Sequence, residues 1–169
     1  LARRALLLRP RRDSAAPPLP LLVLLHGLGE TGNERAGLEA WSRRYGLIAA
    51  YERLSRPPVG RILNHPRYLT DTHLTAINEE LAQRPFAGMA LVCPVTPNVY
   101  KHRSTSRALD RYADWLGTVL LPAVRAACPI AEGRDHLAID GCSLGGFIAL
   151  EVMKRRPEQF GTLGMVQGA

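Results

Sequence analysis

Ser143 stands in the run LAIDGCSLGGFIAL, residues 137–150, with Gly141 two positions before it and Gly145 two after. The run reads as a buried strand, a sharp turn and an apolar helix. In that context a serine flanked by small residues is an exposed nucleophile held in a strained backbone conformation. Glycines on either side let strand and helix approach closely. The hydroxyl would be lifted clear of the sheet, and the chemistry it suggests is acyl transfer through a serine ester. The competing reading is a glycine-rich turn that packs tightly and does nothing more, because so short a pattern also arises by chance.

A second element weighs against chance. LLVLLHGLGETG, residues 21–32, is a continuous apolar run ending in His26-Gly27 and a glycine-spaced loop. Such a run suits a strand buried on both faces of a parallel sheet. The loop after it is where a serine enzyme of this kind keeps a second amide for the oxyanion.

The elements that must position these residues alternate strand and helix. Ala5 to Arg9 reads as an edge strand and Pro10 to Pro20 as a turn-rich segment. Strand Leu21–Leu25 leads to a helix from about Glu34 to Tyr45, with Leu38, Trp41 and Tyr45 on one face. An irregular region, Leu54 to Thr70, precedes a helix over Asp71 to Gln83 with Leu74, Ile77, Asn78 and Leu81 inward. Met89 to Cys93 is the next buried strand. A polar loop carrying Asn98, Tyr100, Lys101, His102 and Arg103 follows Pro94. The strongest helical pattern runs from Ser106, its expected N-cap, to Ala127. Strand His136–Asp140 feeds the serine turn. The helix behind it is stopped by Pro157, and Leu163 to Gln167 forms a final strand. This alternation predicts an α/β fold whose mostly parallel sheet is covered on both faces.

Composition agrees with one domain. The chain has 169 residues, 46% of them hydrophobic, enough for a sizeable core. No apolar run reaches membrane-spanning length. The basic flank at Leu1–Arg9 precedes an apolar stretch too short for a signal peptide, while the missing initiator Met suggests trimming. A cytoplasmic protein is therefore favoured, with a removed leader left open. The net charge is +7, and only Lys101 and Lys154 are lysines. The arginines are scattered among acids, with clusters at Arg3/Arg4, Arg9/Arg11/Arg12 and Arg43/Arg44. No aromatic interleaving accompanies them, so a solvated basic face is expected rather than nucleic-acid binding. Cys93, Cys128 and Cys142 lack metal-ligand spacing and are expected as buried free thiols, one pair remaining open to disulfide formation. Nothing suggests a metal or an organic cofactor. Cys142 beside Ser143 invites a thiol-nucleophile reading, but the turn is expected to expose the central residue and turn its neighbour aside.

At these residues the chain resembles a known family. The HGLGETG loop, the long helix before the serine turn, and DGCSLGG with its helix ending in RRPEQFGTLGMVQGA are similar to the α/β-hydrolase fold. The nearest branch is the esterase D-like, feruloyl-esterase-like and polyhydroxyalkanoate-depolymerase-like enzymes. The resemblance covers about residues 20–169 and implies a three-layer fold. Residues 54–86 are longer than that fold needs and are expected as an insertion near the pocket mouth or a purely structural excursion. The resemblance implies Ser143 as nucleophile and the Leu144 N–H as one oxyanion donor. It implies the N–H of Leu28, or less readily Gly29, as the other. It also implies that His26 braces its loop rather than acting as base. His65, His73, His102 and His136 are read as surface or supporting residues, with His102 kept as the candidate substrate contact.

One expectation is left unmet. The fold orders its triad nucleophile, acid, histidine. After Ser143 the sequence holds Glu151 and Glu158 but no Asp and no His, and both glutamates lie on or beyond a helix that points away. Three explanations compete: a front part of a longer hydrolase, completed by a further segment or a second chain; a catalytically silent binding domain; or a site using an upstream histidine such as His102. The first is favoured, because the chain stops on a core strand whose apolar edge would be left unpaired. The expected partner is a small-molecule ester, with neither nucleic acid nor membrane. Transfer of the acyl group to another acceptor would use the same apparatus.

Overall fold

The computed structural model describes residues 4–13, 15–62 and 69–168. His65 and Pro66, together with residues 1–3 and 169, lie outside them. The chain divides into two compact units, Leu1–Trp41 with Met89–Ala169, and Ser42–Gly88. The stretch of about 54–86 expected as an insertion lies within the second unit, whose lower bound is Ser42.

The first unit is built on a five-stranded sheet in the order β1-β3-β2-β4-β5. Its strands are β1 (Ala5–Leu8), β2 (Leu21–Leu25), β3 (Ala90–Pro94), β4 (Leu137–Cys142) and β5 (Thr162–Val166). Only β1 runs antiparallel, pairing Ala5 with Pro94 and Leu8 with Leu91. β2 and β4 pair in parallel from Leu21↔Leu137 to Leu25↔Gly141, and β5 pairs with β4 through Asp140↔Gly164 and Cys142↔Val166. The uninterrupted apolar runs of β2 and β3 fit central strands covered on both faces.

Side chains alternate across the sheet. Val23, Leu25, Val92 and Ile139 enter one core with Leu109, Tyr112 and Leu116 from the long helix and Ile148 and Val152 from the helix after Ser143. Each such fully buried aliphatic side chain contributes about 1.5–3 kcal/mol. Leu24, Leu91 and Cys93 are equally buried but stand outside that cluster. Helix α1 (Glu34–Glu39) packs against β3 and β1.

Three expectations need correction. The helix expected over Ser106 to Ala127 is two α-helices, α4 (Thr105–Trp115) and α5 (Leu121–Ala127), joined by a π-type turn at Leu116–Leu120. The cause is Pro122 at the start of α5, which lacks the N–H that would bond the Thr118 carbonyl. The N-cap of α4 is Ser104, whose Oγ accepts from the Arg107 N–H at 3.3 Å, rather than Ser106. The helix expected to reach Tyr45 stops at Glu39 and continues as a π-type turn over Ala40–Arg44, so Ala40 is buried while Leu38 and Tyr45 stay half-exposed.

The second unit holds α2 (Leu47–Ser55) and α3 (Asp71–Gln83). α3 matches its expected span, but α2 covers residues left without a helix in the sequence reading. Its start lacks an Asx or Ser/Thr cap signal: Gly46, at φ 73°, leads into it with no side-chain hydrogen bond. The Asn78 amide clasps the Val59 backbone, accepting from its N–H at 2.6 Å and donating to its carbonyl at 3.1 Å.

Candidate active site

Ser143 sits between β4 and α6 (Leu144–Arg155) with φ 53° and ψ −120°. A non-glycine residue at positive φ costs about 1–3 kcal/mol and persists only where its surroundings over-determine it. Here they do. The Ser143 N–H donates to the Val166 carbonyl at 2.8 Å, and its own carbonyl accepts from Phe147 N–H at 3.1 Å. The flanking glycines are places where no side chain fits. A Cβ on Gly141 would lie 2.2 Å from the Gly145 carbonyl carbon, and one on Gly145 would lie 2.2 Å from the Leu25 carbonyl oxygen. The start of α6 therefore rests directly on the end of β2. The first amides of α6, Leu144 foremost, lack intrahelical acceptors and carry the positive end of the helix dipole.

The end of β2 is also where His26 lies, fully buried. Its backbone N–H donates to Thr96 Oγ1 at 2.9 Å, and Thr96 N–H donates to His26 Nε2 at 2.9 Å. Because Nε2 accepts, the proton is on Nδ1, which donates to the Gly27 carbonyl at 2.9 Å. Burial pushes the His26 pKa down, with the Gly27 hydrogen bond and the Glu30 charge opposing it. The ring is thus neutral, with both nitrogens engaged. It ties the loop after β2 to the loop after β3, and it leaves no nitrogen to accept a serine proton. Gly37 makes room for it: a Cβ there would lie 2.6 Å from Nε2. After Gly27 the chain turns through a 3₁₀ helix, Leu28–Glu30, whose leading amides are the Leu28 and Gly29 candidates. The Leu28 side chain is exposed and Glu30 is buried.

The remaining candidates separate clearly. His102 is exposed on the loop after β3, His136 is exposed in a 3₁₀ turn before β4, and His73 helps cap α3 with Thr70. Among the described residues, no hydrogen bond joins Ser143 to a histidine. Glu151 is spent on Lys154 (2.8 Å) and Arg155 (2.5 Å), hydrogen bonds that hold its carboxyl below the ordinary value, Lys154 foremost. Glu158 is exposed. The three cysteines are free; Cys93 and Cys128 are buried as expected, while Cys142 is only half-buried. Burial pushes the Cys142 thiol up, reinforced by Glu30 and Asp140, which disfavours a thiolate beside Ser143. Burial likewise raises Asp140, against the opposing hydrogen bond from Gly141 N–H at 2.5 Å. Among the described residues, no group of His, Cys, Asp and Glu is placed to hold a metal ion, and no helix is long and apolar enough to cross a membrane.

Two contacts escaped the sequence reading. Thr96 is a buried polar residue 70 positions from its partner, a pairing that no local pattern encodes. Tyr100 stacks on Phe147 with ring centroids 6.4 Å apart, joining the loop after β3 to the first turn of α6.

Comparison with known proteins adds a family match over part of the chain and a shared fold. Residues 93–169 match the family model described as "Putative esterase". A ferulic acid esterase superposes with a TM-score of 0.59 at 19% identity, over 95% of this chain and 52% of its own. The likeness shows the fold that this chain shares with that esterase. An enterochelin esterase from Shigella flexneri shares this fold at TM-score 0.55 and 18% identity, over 98% of this chain and 32% of its own. So does an S-formylglutathione hydrolase from Staphylococcus aureus, at TM-score 0.50 and 17% identity, over 94% and 48%. The chain spans about half the length of the first and last of these structures and a third of the other. A search of curated proteins finds no match.

Proposed function

We propose that the chain carries the nucleophile and oxyanion site of a serine-dependent carboxylic-ester hydrolase. The observation that supports this most is Ser143 at φ 53°, in a turn whose flanking glycines seat α6 on the end of β2. In this reading the Ser143 Oγ adds to the ester carbonyl while its proton passes to a general base. The developing oxyanion is held by the N–H groups of Leu144 and Leu28, with Gly29 the alternative to Leu28. The intermediate collapses, the C–O bond to the leaving alcohol breaks, and the alcohol takes the proton from the base. Water then hydrolyses the acyl-serine. His26 holds the oxyanion loop and takes no proton. The base must lie outside residues 144–169, which contain no histidine; a segment or chain that supplies it completes the site.

The test is hydrolysis of a short aryl ester by the protein as expressed from its gene. Ser143→Ala is expected to lower kcat/KM by about a thousandfold or more. Hydrolysis unchanged in Ser143→Ala would overturn the serine mechanism. Complete inactivity of the parent protein would favour a silent binding domain built on the same fold.

A further inference from the structure

We propose that the open cavity lined by His102, Arg103, Ser104, Arg107, Asp110 and Arg111 is a subsite for an oxyanion, the carboxylate or phosphate of an ester substrate. Its volume is about 360 Å³, and it lies where the loop after β3 meets the first two turns of α4. Arg107 and Arg111 are one helical turn apart, and Arg103 precedes the cap residue Ser104. Like charges at this spacing repel, at a cost to the helix. The fold leaves that cost standing: among the described residues, none of the three guanidinium groups is paired with an acid.

The acid in the cavity does not offset them. Asp110 Oδ1 is bound by Arg155 Nε at 2.8 Å, and Arg155 is fixed in turn by Glu151 at 2.5 Å. The pair neutralises Asp110 through a residue that does not line the cavity, and Arg103, Arg107 and Arg111 remain in the lining. Elsewhere on the first unit, Arg4, Arg35 and Arg156 pair with Glu34, Glu39 and Asp114. Guanidinium groups bind carboxylate and phosphate oxygens in bidentate fashion, so three of them lining one cavity suit an oxyanion.

The cavity is tied to the serine turn. Its loop leaves the carboxyl end of β3, the same end of the parallel sheet at which β4 presents Ser143. Tyr100, two residues before His102, stacks on Phe147, whose N–H is bonded to the Ser143 carbonyl. An anionic group held by Arg103 and Arg107 would extend from an ester at Ser143. This substrate role rests on Ser143 being the nucleophile, whereas the anion site itself does not.

Calorimetric titration of this chain at low salt, with inorganic phosphate and separately with succinate, measures the site. One saturable binding event in the millimolar range is expected, weakening with added salt. Arg103→Gln and Arg107→Gln should each weaken it about tenfold, and Arg125→Gln, a lone exposed arginine on α5, should not. Absence of saturation, or equal weakening by Arg125→Gln, overturns the site. The substrate role is read from kcat/KM for monophenyl succinate against phenyl acetate. In Arg107→Gln that ratio should fall about tenfold. An unaltered ratio overturns the substrate role. If neither ester is hydrolysed while phosphate still binds, the serine reading fails, the substrate role falls with it, and the anion site stands.

Discussion

The serine turn and the His26 loop lie side by side at the carboxyl ends of β4 and β2, yet they are held by opposite means. The turn is fixed by missing atoms: Gly141 and Gly145 let backbone meet backbone at distances no Cβ could enter. The loop is fixed by added contacts, a neutral imidazole bridging Thr96 and Gly27. The proposed oxyanion site, which draws an amide from each segment, needs both of them rigid. The first solution fails through steric clash, and the second through unsatisfied hydrogen bonds and through pH.

The sharpest way to break this contrast is Gly145→Ala. Its methyl would meet the Leu25 carbonyl oxygen at 2.2 Å, with backbone on both sides and nothing able to yield. A loss of about 4 kcal/mol or more is expected, read as a collapse of the urea midpoint. Gly29→Ala supplies the contrast within the other segment, since its Cβ would meet nothing within 4 Å. It should change stability by no more than about 0.5 kcal/mol. Equal effects at the two glycines would erase the distinction.

Next in size is His26→Ala. It removes the partner of the buried Thr96 N–H and leaves a void beside Gly37. Each unsatisfied buried group costs about 1–3 kcal/mol, so a total of about 3–4 kcal/mol is expected from thermal or urea unfolding. An unchanged midpoint would show that the ring braces nothing.

The pH response follows from the same ring. The His26 pKa in the folded chain is depressed below the ordinary 6.5, so the unfolded chain binds its proton first as pH falls. The resulting stability is fully present above 6.5 and is lost progressively as pH drops from there toward the depressed folded value. His26→Asn should flatten stability over that interval. A parent protein whose stability is level from neutral pH into that range would contradict the protonation state assigned here.

The smallest effect concerns the helix that carries the arginine cavity. Ser104→Ala removes the cap of α4 and should cost about 1 kcal/mol, with no change at the serine turn. Ser106→Ala, at the residue first expected to cap, should be near neutral.

How much of this was legible in the sequence tracks the range over which each feature is encoded. The apolar runs of β2 and β3 and the glycine spacing around Ser143 are local, and the structure has them within a residue or two. The bracing role implied for His26 agrees with the bonds it makes. The Thr96 partnership and the Tyr100–Phe147 stack depend on which loops the sheet order brings together, and no window of sequence holds that information. The π-type turn at Leu116–Leu120 was signalled only by Pro122, which the strong apolar period around it overrode. α2 was missed because its start at Gly46 has no side-chain cap to announce it.

The claim on which the functional reading depends is that Ser143 is the nucleophile, and covalent trapping tests it most directly. The protein as expressed from its gene would be treated with a fluorophosphonate, digested and mapped by mass spectrometry. The expected result is a single adduct on Ser143, absent from Ser143→Ala. An adduct on any other residue, or one that persists in Ser143→Ala, would contradict the assignment.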